Sequence, residues 1–169
     1  MRDYQKAWVS DDGKQYRTDF YERQGMDQFD DNPTFIKLIK QLERFEPSSI
    51  LEIGCGFGRL LGPVTRHFSE IVVVGGDVSL EMLALCQEEL NTVYLDICLF
   101  KPMAQFDVAY CRGVAMYFSN EQMTCAMANI CQSVKTKMLV YEWPEVCERM
   151  KAIDSSPLFE YHSILNKSE

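Results

Sequence analysis

LEIGCGFGRL, residues 51–60, is the stretch on which the rest of the chain is read. An apolar run from Ser49 to Ile53 enters Gly54, Cys55, Gly56, Phe57 and Gly58, and the pattern that follows predicts a helix over about residues 58 to 68. Glycines at such a junction let the backbone turn sharply and let a ligand approach the main chain with no Cβ in the way. The start of the next helix presents unpaired amide groups. A strand, a glycine turn and a helix in that order offer a ligand site at the carboxyl edge of a parallel sheet.

Working outward, the same alternation repeats. Strands are predicted at Ile71 to Gly75, Thr92 to Leu95, Phe106 to Cys111 and Lys137 to Tyr141. Helices are predicted at Ser79 to Glu89, with Ser79 as N-cap and an acidic first turn, and at Glu121 to Val134. Upstream, Phe35, Ile36, Leu38, Ile39, Leu42 and Phe45 recur at helical spacing and stop before Pro47. Short apolar strands alternating with helices predict an α/β fold, a doubly wound and mostly parallel sheet with helices on both faces. Downstream, Glu145 to Ile153 reads as a helix and Leu158 to Leu165 as a last strand; only 26 residues follow Trp143, so a shortened C-terminal end is expected. Residues 1–33 are polar with interspersed aromatics and form a lead-in segment, which leaves 34–169 as the domain proper.

Bulk properties narrow the function. A chain of 169 residues, 47% hydrophobic and 25% charged, has the size and composition of one globular domain. Its net charge of -8, with no Lys/Arg stripe, argues against nucleic acid as the main ligand, because such affinity comes largely from neutralising phosphates. From Glu70 to Asp107 seven acids face Lys101 alone, read as a solvated acidic face that also suits a cationic ligand. Seven cysteines with no CxxC pair argue against a disulfide framework and against a metal site, and fit a reducing compartment. Neither a signal-peptide core nor an apolar run of membrane-spanning length occurs, so a cytoplasmic protein with no membrane association is expected.

Asp77 ends the second predicted strand 23 residues after Gly54, and in nucleotide-binding sheets an acid at about that separation reaches ribose hydroxyls. Two ligands compete for such a turn, a dinucleotide and S-adenosylmethionine. The spacing is GxGxG rather than GxGxxG, and Glu52 precedes the turn. A carboxylate there repels a pyrophosphate and suits a cationic sulfonium, which favours S-adenosylmethionine and leaves an NAD-linked oxidoreductase as the weaker reading.

LEIGCGFGRL together with GGDVSLEMLALC (75–86) and FDVAYCRGVAMYF (106–118) resembles the class I methyltransferases over about residues 35 to 142. The resemblance implies a methyltransferase-like α/β fold and S-adenosylmethionine as cofactor. It implies that Gly54 and Gly56 lie against the methionine part and that Asp77 binds the ribose, with Glu52 and Cys55 counted among the cofactor-binding residues. Val78 and Met82 would flank the adenine, Asp96 would meet its amino group with Ile97 alongside, and Cys111 would border the transfer chamber. An N-terminal lid is implied as well, with Tyr16, Phe20 and Tyr21 over the cofactor. Phe57 departs from the family, which commonly has a small hydroxyl residue there, and Gly76 stands where a β-branched residue is usual.

Arg112, Tyr117, Glu142 and His162 are the candidate catalytic groups: the resemblance implies that Arg112 lines the transfer chamber with Cys111, Tyr117 and Glu142 fall on the ligand edge of the sheet, and His162 lies in the last strand. Methyl transfer from a sulfonium is an in-line displacement with an activated donor, so positioning can supply about 7–11 kcal/mol and no dyad is obligatory. No Asn/Asp-Pro-Pro-aromatic motif follows the fourth strand, which disfavours amino groups of adenine or glutamine, and a small-molecule acceptor is expected. The alternative is a non-catalytic cofactor-binding subunit acting through a partner. The short C-terminus motivates it, since a missing edge strand would leave a sheet edge for a homodimer or a partner protein to cover.

Overall fold

The computed structural model describes Trp8, Gln15, Thr18, Asp19 and residues 33–164. Twelve elements follow in order: α1 (Pro33–Glu43), β1 (Ser49–Ile53), α2 (Leu61–His67), β2 (Val72–Asp77), α3 (Leu80–Leu83), β3 (Thr92–Tyr94), β4 (Phe106–Arg112), a 3-10 turn (Ala115–Tyr117), α4 (Asn120–Ser133), β5 (Val134–Glu142), α5 (Pro144–Ile153) and β6 (Phe159–Ser163). The strands form one sheet in the order β3-β2-β1-β4-β5-β6, and every pairing is parallel.

Alternation along the central strands divides the core. Leu51 and Ile53 of β1, Ala109 and Cys111 of β4 and Met138 and Val140 of β5 point to the face covered by α4 and α5. Ile50, Val108, Tyr110, Leu139 and Tyr141 point to the other, where α1 brings Leu38 and Leu42 and α2 brings Leu61 and Val64. Both faces are dry, which is why these strands read as nearly continuous apolar runs. Each wholly buried Leu or Met contributes about 1.5–3 kcal/mol relative to exposure. α4 starts at a capping box: Ser119 Oγ accepts from Gln122 N at 3.2 Å and Ser119 N donates to Gln122 Oε1 at 2.8 Å.

Three expectations are corrected. The helix after β2 is only Leu80–Leu83, because Leu80 and Leu85 are 67% and 41% exposed and give it no continuous apolar stripe; turns carry the chain on to Leu90. The helix after the glycine turn starts at Leu61 rather than 58, since Gly58 has φ +84°, outside helical space. The last strand is Phe159–Ser163 rather than Leu158 to Leu165, and the sheet is parallel throughout: α5 returns the chain so that β6 lies along β5 with Met138 opposite Phe159 and Glu142 opposite Ser163. β1 and β4 leave their shared boundary in opposite directions, and this reversal of strand order is where such sheets open a crevice.

Candidate functional site

The glycine turn is held from two sides. Gly54 N and Cys55 N both donate to Gly76 O, at 2.7 and 3.1 Å, which fixes the start of the turn to β2. Gly56 N then donates to Asp77 Oδ2 at 2.7 Å, and Ser79 N to Asp77 Oδ1 at 2.8 Å. The Asp77 carboxylate is thereby the pin between turn and strand end. Burial raises its pKa, and the N–H donors of Ser79, Gly56 and Val78 pull the other way. Gly54 has φ +74°, and a Cβ on it would sit 2.4 Å from Val114 Cγ2. At Gly56, φ +56°, a Cβ would meet nothing within 4 Å, so the turn faces open space there.

That space is a cavity of about 110 Å³ at the carboxyl ends of β1, β2 and β4. Ile53, Gly54 and Gly56 form its floor, Asp77 and Asp96 supply carboxylates, and Val78, Leu95 and Ile97 make an apolar flank. Arg112, Gly113, Val114, Tyr117 and Phe118 border the far side, closed by Trp8. Asp96 Oδ1 accepts from Cys98 N at 3.1 Å, and Asn129 Nδ2 donates to Ile97 O at 2.8 Å, so the 96–98 loop is tied to α4. Trp8 stands edge-on to Tyr117, ring centroids 5.5 Å apart and planes at 88°. Burial lowers the Arg112 pKa, while the charges of Glu142 and Glu52 support its cationic form.

The structure brings Gly54, Gly56, Asp77, Val78, Asp96, Ile97, Arg112 and Tyr117 to one cavity. Tyr16, Phe20 and Tyr21 lie outside the described residues. Glu52 does not border the cavity: strand alternation turns it to the α1 face, where Tyr110 donates its hydroxyl to Glu52 Oε2 at 2.8 Å and burial holds the carboxyl well above the usual range. Cys55 likewise turns under the glycine loop, and Met82 is buried, 2% exposed, away from the cavity surface. Cys111 faces a smaller apolar cavity of about 20 Å³ against α4.

Two of the candidate catalytic groups lie elsewhere. Glu142 is wholly buried at the end of β5, and its Oε1 accepts from the N–H groups of Val114 and Ala115, the latter at 2.6 Å. Burial pushes its pKa up to about 7 against those donors. It shapes the loop after β4 from behind. His162 stacks on Tyr141, centroids 4.8 Å apart, with Nε2 3.2 Å from Glu160 Oε1, on the α1 side of β6. Side-chain alternation at the end of β6 turns it from the cavity. Sequence reasoning missed Trp8, Ile53, Leu95, Gly113, Val114 and Phe118 as lining residues; Ile53, Leu95, Gly113 and Phe118 adjoin the predicted Gly54, Asp96, Arg112 and Tyr117 and so carried a positional signal.

A methyltransferase-domain family model matches residues 50–137, just over half of the chain. This chain belongs to that family of methyltransferase domains. No curated protein sequence matches it. Among solved structures, it resembles the plantazolicin methyltransferase BpumL in complex with SAH, with a TM-score of 0.62 and 18% identity over 90% of this chain and 62% of that one. It also resembles DesVI of Streptomyces venezuelae, TM-score 0.59 and 22% identity over 82% and 61%. A third is SAM-bound CalS10, an amino pentose methyltransferase from Micromonospora echinaspora, TM-score 0.60 and 19% identity over 77% and 57%. The chain thus spans between half and two thirds of the length of these structures, and the likeness is one of fold. Among the described residues no helix is long and apolar enough to cross a membrane, and no group of His, Cys, Asp and Glu has metal-holding geometry.

Proposed function

We propose that the chain binds S-adenosylmethionine in the cavity beside the β1 turn and directs its methyl group to a small-molecule acceptor. One observation carries this reading: an open glycine turn, the Asp77 carboxylate and the Asp96 carboxylate line a single cavity at the carboxyl ends of the parallel strands. The residues suit the cofactor. Asp77 accepts from Gly56 N on Oδ2 and from Ser79 N on Oδ1 and also borders the cavity, where a carboxylate suits a ribose diol. Asp96 with Val78 and Ile97 offers an acceptor between apolar walls, suited to an adenine amino group and ring. The open main chain at Gly56, with Gly54 beside it in the cavity floor, suits the methionine end.

When bound, the cofactor supplies a methyl group already activated by a sulfonium, displaced in line to the acceptor. The chain's own residues hold and enclose. Arg112 and Tyr117 are the polar groups at the far side of the cavity and would orient the acceptor. Trp8 packed on Tyr117 would exclude water, which gives residues 1–33 the role of a lid, with Tyr16 and Tyr21 its further candidates, over a domain at 34–169. The relatives' acceptors, an amino pentose and a plantazolicin precursor analogue, support a small molecule here. Seven free thiols fit a reducing, cytoplasmic setting.

A second reading, a cofactor-binding subunit acting through a partner, draws on Glu142 and His162 lying outside the cavity and on the edge of β6, which pairs with β5 alone. Incubation with methyl-labelled S-adenosylmethionine and fractionated metabolites separates the two. Transfer by the wild type, reduced at least tenfold in Asp77→Ala, supports the enzyme; retained label with no transfer in any fraction supports the subunit, and no retention overturns both.

A further inference from the structure

Behind the cofactor turn two thiols converge on one atom. Cys86 Sγ donates to Gly56 O at 3.4 Å, and Cys55 Sγ donates to the same oxygen at 3.8 Å. Gly56 is therefore gripped on both polar groups, its N–H by Asp77 and its carbonyl by the cysteine pair. The pocket for Cys55 exists because residue 75 is glycine: a Cβ there would stand 2.8 Å from Cys55 Sγ. Cys55 is 5% exposed, whereas Cys86, in the turn after α3, is only half-buried.

The two thiols differ in chemistry. Burial and the carboxylates of Glu52 and Asp77, with the Cys86 interaction first, push the Cys55 thiol far up. The neighbouring Cys55 thiol draws the Cys86 thiol down. A thiolate is the nucleophile, so the accessible Cys86 is the attacking sulfur and the buried Cys55 the resolving one.

We propose that Cys55 and Cys86 form a reversible thiol–disulfide pair, oxidised by a hydroperoxide, that deforms the cofactor turn and weakens cofactor binding. Cys86 thiolate attacks the outer peroxide oxygen, the O–O bond breaks, and water or an alcohol leaves after taking up a proton. The resulting Cys86 sulfenic acid is attacked by the Cys55 sulfur, the S–O bond breaks, and water leaves with the Cys55 proton. The two thiols lose two hydrogens and two electrons, and the peroxide is reduced. A disulfide needs an S–S distance of about 2.05 Å, shorter than any thiol–thiol contact, so the two sulfurs must close on one another, and the movement falls on the turns that carry them, 54–56 and the turn after α3. Both S–H donors to Gly56 O disappear in the same step.

The affinity effect rests on the cofactor reading above; the disulfide does not. The test treats reduced full-length protein with stoichiometric hydrogen peroxide, then maps tryptic peptides and titrates S-adenosylmethionine by calorimetry. Arg59 and Arg66 separate the two cysteines on digestion, so a 55–86 link appears as a cross-linked peptide pair about 2 Da lighter than its parts, and fragmentation of the 67–112 peptide, uncut between Lys101 and Pro102 and also holding Cys98 and Cys111, assigns it to Cys86. The expected result is that link, an affinity loss of tenfold or more, and recovery with dithiothreitol, while Cys86→Ser keeps its affinity after peroxide. Oxidation confined to the exposed Cys125 and Cys131, or a 55–86 disulfide with affinity changed less than twofold, overturns the proposal. A 55–86 link in protein that binds no S-adenosylmethionine when reduced supports the thiol pair and overturns the cofactor reading. The peptide map uses the wild type, so it stands even if the variant folds poorly.

Discussion

At the end of β2, Asp77 ties Gly56 to Ser79 through two main-chain N–H groups while also facing the cavity, so one carboxylate shapes the turn and meets the ligand. Hydrogen bonds to a charged group contribute about 1.5–3 kcal/mol each, so Asp77→Ala, which loses two, should cost stability as well as affinity, by roughly 3–6 kcal/mol in a denaturant titration. Gly54→Ala would force φ +74° on an L side chain and drive its Cβ into Val114; a loss of about 1–3 kcal/mol in the same assay is expected. Glu142 gives a pH signature. Its folded pKa of about 7 lies above the ordinary 4.5, so its stabilisation is complete below pH 4.5 and is lost as pH rises through 7. That span corresponds to about 3 kcal/mol, and Glu142→Gln keeps the acceptor for Val114 and Ala115 without the charge. Melts at pH 5 and pH 8 should show the wild type losing about that much relative to Glu142→Gln; parallel profiles would refute it. Glu142 and Glu52 were legible in sequence as acids near the ligand edge, but not as buried supports, because which way a side chain turns at a strand end depends on partners such as Tyr110 that lie far off in the chain.

Strands were more legible than the pieces between them. β1 and β4 declare themselves as apolar runs because both faces of the sheet are covered, and α4, read as Glu121 to Val134, lies within one residue of that range, its capping box at Ser119 and Gln122 seen only in the structure. α3 was not legible at its true length: Ser79 caps it as expected, yet the leucines beyond diverge around the axis, and only Leu90 returns to the core. Gly76, unusual for the family, is explained by β3, since a Cβ there would meet Leu95 at 2.7 Å, and Leu95 is itself part of the cavity wall. The lead-in segment contributes Trp8. An edge-on aromatic pair adds about 0.5–1.5 kcal/mol, so Trp8→Ala should weaken cofactor binding by roughly 2- to 13-fold with little change in melting temperature. Unchanged calorimetric affinity would remove the lid from the account.

For the whole molecule, the acidic balance divides into two functions. Asp77 and Asp96 are 8% and 4% exposed and turn inward to the cavity, whereas the other acids of the 70–107 stretch, such as Glu88 and Glu89, remain on the surface. The charge therefore speaks for solubility and against a polyanion, while two buried carboxylates at the ends of β2 and β3 speak for a ligand with hydroxyl and amino donors. The all-parallel sheet ends at β6, and a second copy along that edge would give twice the 19.6 kDa mass in light scattering, a single-copy mass counting against dimerisation. The central claim concerns the β1 turn, and calorimetric titration of the reduced protein tests it most directly. S-adenosylmethionine should bind with one site per chain, NAD should not, and Asp77→Ala should reduce the affinity at least tenfold while remaining folded by circular dichroism. Heat from NAD in preference to S-adenosylmethionine, or equal binding by wild type and Asp77→Ala, would contradict the account.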